Sequence, residues 1–125
     1  MLEHLSKTRF IKYIADFTKE QEWTYKGIYP AVIIFHESIN LYENNLQDIY
    51  VSLKVKFPNV KFYQVLIDKN PEIAHAYGIE ISPSTMFVPL INKPIIIEGF
   101  LSSEQVEKEV LLLIKGKLNN KKSIL

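Results

Sequence analysis

Residues 31–35, AVIIF, form a continuous apolar, β-branched run, and a strand of that composition is stable only where both of its faces are covered. This run therefore belongs at the centre of a sheet with a layer packed on each side. The chain has the material to build those layers, since 47% of its 125 residues are hydrophobic and 23% are charged, the balance of one globular domain. The 15 basic and 14 acidic residues leave a formal net charge of +1, so charge alone points to neither nucleic acid nor an anionic membrane.

The remaining segments supply the layers. Leu5, Phe10, Ile14 and Phe17 recur near helical spacing, and Ser6 is positioned to cap a first helix of about ten residues. Residues 18–30 mix Trp23, Tyr25 and Tyr29 with Gly27 and Pro30, which suits a short strand and a loop. Leu41, Leu46, Ile49, Tyr50, Leu53 and Phe57 make a helical stripe that stops at Pro58. A second core strand is predicted over 60–67. Asn70 and Pro71 open a short helix that ends at Tyr77 and Gly78. Strands over 85–90 and 95–98 read as a hairpin, and Ser102, Ser103 and Gln105 signal a last helix with Val106, Val110, Leu113 and Ile114 on one face. The order implies an α/β sandwich around a mixed sheet, spanning 1–116, followed by a polar, basic and frayed tail over 117–125.

The segment DKNPEIAHAYGIEISP, residues 68–83, closely resembles the thioredoxin stretch that holds a short helix, the YGI turn and the proline before the fourth strand. STMFVPLINKPIIIEGF resembles the family's closing hairpin with its glycine, here Gly99, and EWTYKGIYPAVIIF is similar to the lead-in of thioredoxins from Bacteroides-type bacteria. The resemblance spans roughly residues 5–116. It implies a thioredoxin fold, a mixed sheet of about five strands flanked by about four helices, and a cis peptide bond between Ser82 and Pro83. It also implies a groove beside that proline, formed by Ile39, Tyr42, Ser82, Pro83 and Gly99, where an extended substrate segment pairs with exposed backbone.

The chain contains no cysteine. Thiol–disulfide exchange proceeds by attack of a thiolate on a disulfide sulfur, so these residues supply no nucleophile for it. The family's two-cysteine loop aligns with Asn40, Leu41, Tyr42 and Glu43, Asn40 and Glu43 standing at the cysteine positions. The resemblance further implies that the family's buried aspartate is Ile34 here and that its lysine partner is Gln64. The helix-kinking proline aligns with Asp48, and the loop tryptophan with His36. Loss of the carboxylate fits a chain without redox work, because burying a lone charge is unfavourable. Glu43, at a helix start, fits an ordinary N-terminal charge.

Other chemistry finds little footing. His36 and Glu37 are neighbours in a strand and point to opposite faces, so His36 is expected to be a packing or surface residue. His4 and His75 lack a second ligand at metal spacing, and no metal or cofactor is expected. Phosphate-loop, dinucleotide and nucleophile-elbow motifs are absent, and Ser38 belongs to no recognisable triad. The N-terminus lacks an apolar signal core, and AVIIF and LLLI fall well short of the roughly 20 residues that span a bilayer, so a soluble, cytoplasmic setting is expected. The sequence thus predicts no dithiol-disulfide activity and a non-catalytic module that binds an unidentified protein or peptide, with no nucleic-acid or membrane partner. The alternatives are a homodimer formed through the same patch, or a repurposed enzyme built on Asn40, Glu43 and His36.

Overall fold

Residues 31–36 form the middle strand of a five-stranded sheet, and all six are buried. The computed structural model describes residues 2–19, 22–38 and 43–116, the side chains of 43–45 excepted. In chain order the elements are β1 (Glu3–His4), α1 (Lys7–Tyr13), β2 (Ala31–His36), α2 (Glu43–Lys56), β3 (Lys61–Leu66), α3 (Pro71–Ala76), β4 (Ser84–Val88), β5 (Ile95–Glu98) and α4 (Ser103–Ile114). The sheet order is β1-β3-β2-β4-β5. β3 lies parallel to both β1 and β2, while β4 is antiparallel to β2 and to β5, which makes the sheet mixed.

The period-two alternation of β2 divides its side chains between two cores. Val32 and Ile34 face α2 and α4, where they join Leu46, Tyr50, Leu53, Val106, Val110 and Leu113. Ala31, Ile33 and Phe35 face α1 and α3, joining Phe10, Ile14, Ile73 and Ala74. Both layers are required because both faces of the strand are apolar. Tyr77 rings this second core with Phe10, Phe17 and Trp23 at centroid distances of 5.6 to 6.1 Å.

Helix ends follow local chemistry. Ser6 accepts from the Arg9 N–H at 3.2 Å and starts α1. Gly78, at φ +66°, takes the left-handed turn that closes α3. Ser102 and Gln105 form a reciprocal capping box on α4, each side chain accepting from the other's backbone N–H. Ser102→Ala is expected to lower the unfolding free energy by about 1 kcal/mol in chemical denaturation, whereas Ser103→Ala, one residue inside the helix, should change it by only about 0.3 kcal/mol.

Two sequence expectations change. A short strand was expected within 18–30, but the described residues there form a loop. It is pinned to α1, the Lys26 N–H donating to the Ile14 carbonyl at 2.9 Å and the Lys26 ammonium to the Ile11 carbonyl at 2.6 Å. Its aromatic residues Phe17, Trp23 and Tyr25 pack inward without ladder pairing. The strand is instead at Glu3–His4, too short to show alternation, and held by the buried Leu2 and Leu5 on either side. β4 stops at Val88, because Pro89 has no N–H to continue the ladder. The tail over 117–125 lies outside the described residues.

Candidate functional site

The carboxyl end of β2 and the start of β4 meet at one pole of the sheet, since Phe35 pairs with Ser84 and His36 with Leu66. Ser38, just past β2, is tied to Asp68, just past β3. The Ser38 N–H donates to Asp68 Oδ1 at 2.8 Å and the hydroxyl donates to Oδ2. These two bonds, the hydroxyl's first, hold the Asp68 carboxyl below its ordinary pKa. The sequence then runs into Ile39, Asn40, Leu41 and Tyr42, which lie outside the described residues, as does the side chain of Glu43.

On the other side of this pole the Ser82–Pro83 peptide bond is cis. The Pro83 carbonyl is occupied by the Gly99 N–H at 2.8 Å, and Gly99 takes φ +89°, a left-handed conformation that favours glycine. The Ser84 hydroxyl donates to the Ile81 carbonyl at 2.5 Å and closes the turn. Between these anchors, the N–H and carbonyl of Ser82 make no hydrogen bond among the described residues. Ile81 and Phe100 flank it with 49% and 54% of their surfaces exposed. The resemblance named Ser82, Pro83 and Gly99, and the fold brings these three together. It did not single out Ile81 or Phe100. Their only signal was position, each one residue outside a named member of the groove.

Beneath the pole lies a buried polar cluster on the α2 side of the sheet. Gln64 Oε1 accepts from His36 Nε2 at 2.8 Å and from Gln47 Nε2 at 2.6 Å, while Gln64 Nε2 donates to the Leu2 carbonyl at 2.7 Å. Because the amide nitrogen is committed to Leu2, the oxygen must face the histidine, which places a proton on His36 Nε2. Ile34 sits opposite Gln64 on β3 and opposite Thr85 on β4. Thr85 in turn bonds the Tyr50 hydroxyl at 2.7 Å, and burial pushes the Tyr50 phenol up to about 12. The position that the resemblance assigns to the family's aspartate is thus an isoleucine, 2% exposed, among neutral polar groups bonded to one another. His36 is fully buried and turned toward Gln64, so it forms no triad with Ser38 and Asp68. Among the described residues no three His, Asp or Glu side chains converge to hold a metal ion, and no helix is long and apolar enough to cross a membrane.

This architecture has relatives. The chain is 31% identical over 104 residues to a thioredoxin of Borreliella burgdorferi, an alignment covering 82% of this chain and 89% of that protein. It belongs to the thioredoxin family. No family model matches the chain. Among solved structures, chloroplastic thioredoxin z superposes with a TM-score of 0.73 at 18% identity, over 92% of this chain and 96% of that one. A chain solved in work on thiol resolution in yeast mitochondrial 1-Cys peroxiredoxin via glutathione/thioredoxin systems gives 0.66 at 20% identity, over 88% and 93%. These likenesses establish the thioredoxin fold. This thioredoxin-family chain carries it without a single thiol, so disulfide exchange lacks its attacking atom.

Proposed function

We propose that this protein binds extended polypeptide without performing chemistry on it, as an adaptor or holdase-like module using the groove at Ser82, Pro83 and Gly99. One observation carries the reading. Ser82 keeps a peptide N–H and carbonyl with no partner among the described residues, between the exposed apolar side chains of Ile81 and Phe100. A free backbone edge flanked by apolar surface suits strand addition, in which main-chain hydrogen bonds supply affinity and flanking side chains supply selectivity. Ile39 and Tyr42 are assigned to this groove on the resemblance alone, since both lie outside the described residues. The full burial of His36 and its bond to Gln64 count against the alternative of an enzyme built on Asn40, Glu43 and His36.

The test uses Ile81→Asp with Phe100→Asp, both at exposed positions, so folding should be retained. Wild type immobilised on resin is expected to capture partner proteins that the variant, with an unchanged melting temperature, does not. Capture of the same set by both proteins would defeat the reading. Neither protein should accelerate reduction of a disulfide substrate by dithiothreitol. A dimer that dissociates in sedimentation on Leu41→Lys would favour self-association instead.

A further inference from the structure

The opposite pole of the sheet carries a second apolar concavity, separated from Ser82–Pro83 by the length of β2. Ala31, where that strand begins, pairs with Lys61 and Val88, so the loops before β2 and β3 and after β4 converge there. At about 3.3 Å per residue the strand holds the two poles roughly 17 Å apart. Four large apolar side chains at this pole face water: Ile28 is 80% exposed, Ile91 76%, Leu90 52% and Ile114 51%. Ile28, Tyr29, Phe57, Leu90 and Ile114 line a cleft of about 410 Å³. That volume admits one or two apolar side chains from outside.

The lining of the cleft carries a single charge, and it is positive. Lys56 lines the cleft, and no carboxylate does. The Lys61 ammonium stands 5.9 Å above the Tyr29 ring, and Lys115 directly follows Ile114. Lys56 is met by Glu107 at 2.9 Å, whereas Lys61 and Lys115 have no carboxylate partner among the described residues.

We propose that this cleft docks an acidic polypeptide segment, its paired apolar side chains entering between Ile28, Leu90 and Ile114 while flanking Asp or Glu residues meet Lys61 and Lys115. Apolar burial supplies the affinity, and the lysine rim supplies selectivity and steering. A second copy of this chain fits poorly, since two facing clefts would press lysine rims of like charge together. A bilayer fits poorly as well, because a concave site receives side chains and does not penetrate a flat surface. The site is independent of the groove at Ser82.

The experiment selects a random displayed peptide library on the full chain, measures the most enriched peptide by fluorescence anisotropy, and maps it by NMR amide shifts. Enriched sequences should place two apolar residues among Asp and Glu, with shifts confined to residues 28–30, 57–61, 88–91 and 113–116. Ile28→Asp with Leu90→Asp should weaken binding about ten-fold or more, and Lys61→Glu with Lys115→Glu by a similar factor. Raising salt should weaken it about three-fold, and Ile81→Asp should leave it unchanged. No enrichment, enrichment without an acidic bias, shifts elsewhere, or binding undiminished in Ile28→Asp with Leu90→Asp would overturn the proposal. So would concentration-dependent sedimentation abolished by that variant, which identifies a second copy as the occupant, or binding to anionic vesicles in preference to the peptides.

Discussion

Gln64→Leu is expected to destabilise the protein by about 2–4 kcal/mol in urea or thermal unfolding, although leucine fills nearly the same volume. Gln64 is fully buried, and its amide serves three other groups: His36 Nε2, Gln47 Nε2 and the Leu2 carbonyl. Removing the amide leaves all three unsatisfied. Each buried polar group stripped of its partner costs about 1–3 kcal/mol. The total stays below three times that figure, because Gln47 is only partly buried and can turn toward water. The double variant Gln64→Leu with His36→Leu separates the causes, since it removes one stranded donor. It should be less destabilised than the sum of the two single changes. A loss below about 0.5 kcal/mol for Gln64→Leu would show that these bonds contribute nothing net.

Ile34→Asp should be still more damaging near neutral pH, by about 4 kcal/mol or more, because it buries a charge among Val32, Leu46, Tyr50 and Val106. The pH dependence has a definite sign. An unfolded Asp titrates near about 3.9, and burial raises that value in the folded state. Between the two values the folded chain binds more protons than the unfolded chain. The variant's stability therefore falls as pH rises through that window, by up to about 1.4 kcal/mol per pH unit, and levels off above the folded value. At pH 4 and below the variant should lie closest to wild type. Adding Gln64→Lys, which places a cation at the paired position on β3, should flatten the profile, while the lost acceptor for His36 and Gln47 adds its own destabilisation at every pH. A profile parallel to wild type would mean that water reaches the position.

The contrast between these two residues shows what the sequence carried. AVIIF announced a doubly covered strand, Ser102 with Gln105 announced a helix start, and Pro71 with Gly78 bracketed a short helix, because each signal is local. The thioredoxin resemblance located the mixed sheet and the turn at Ser82, Pro83 and Gly99. The polar cluster was not legible. Leu2, His36, Gln47 and Gln64 lie in four separate segments and meet only through the strand register and the seating of α2. The resemblance marked Gln64 as the counterpart of a lysine and His36 as that of a tryptophan, and neither assignment pointed to the other residue. β1 was missed because a two-residue strand has no periodicity. The strand expected in 18–30 failed because Trp23 and Tyr25 signal burial equally well from a loop. Ile81 and Phe100 became visible as groove residues only once their exposure was known.

The strand order has a further consequence for how the chain is made. β2 emerges from the ribosome early, yet both of its sheet neighbours, β3 and β4, are synthesised after it. The N-terminal edge waits just as long: Leu2 finds its partner in Gln64, 62 positions later. A nascent chain therefore exposes AVIIF with nothing to pair against until its second half appears, and each closure must overcome the entropy of a long loop. A product truncated before β3 is not half a domain. It is an unpaired apolar strand, and it should be a substrate for chaperones or proteases.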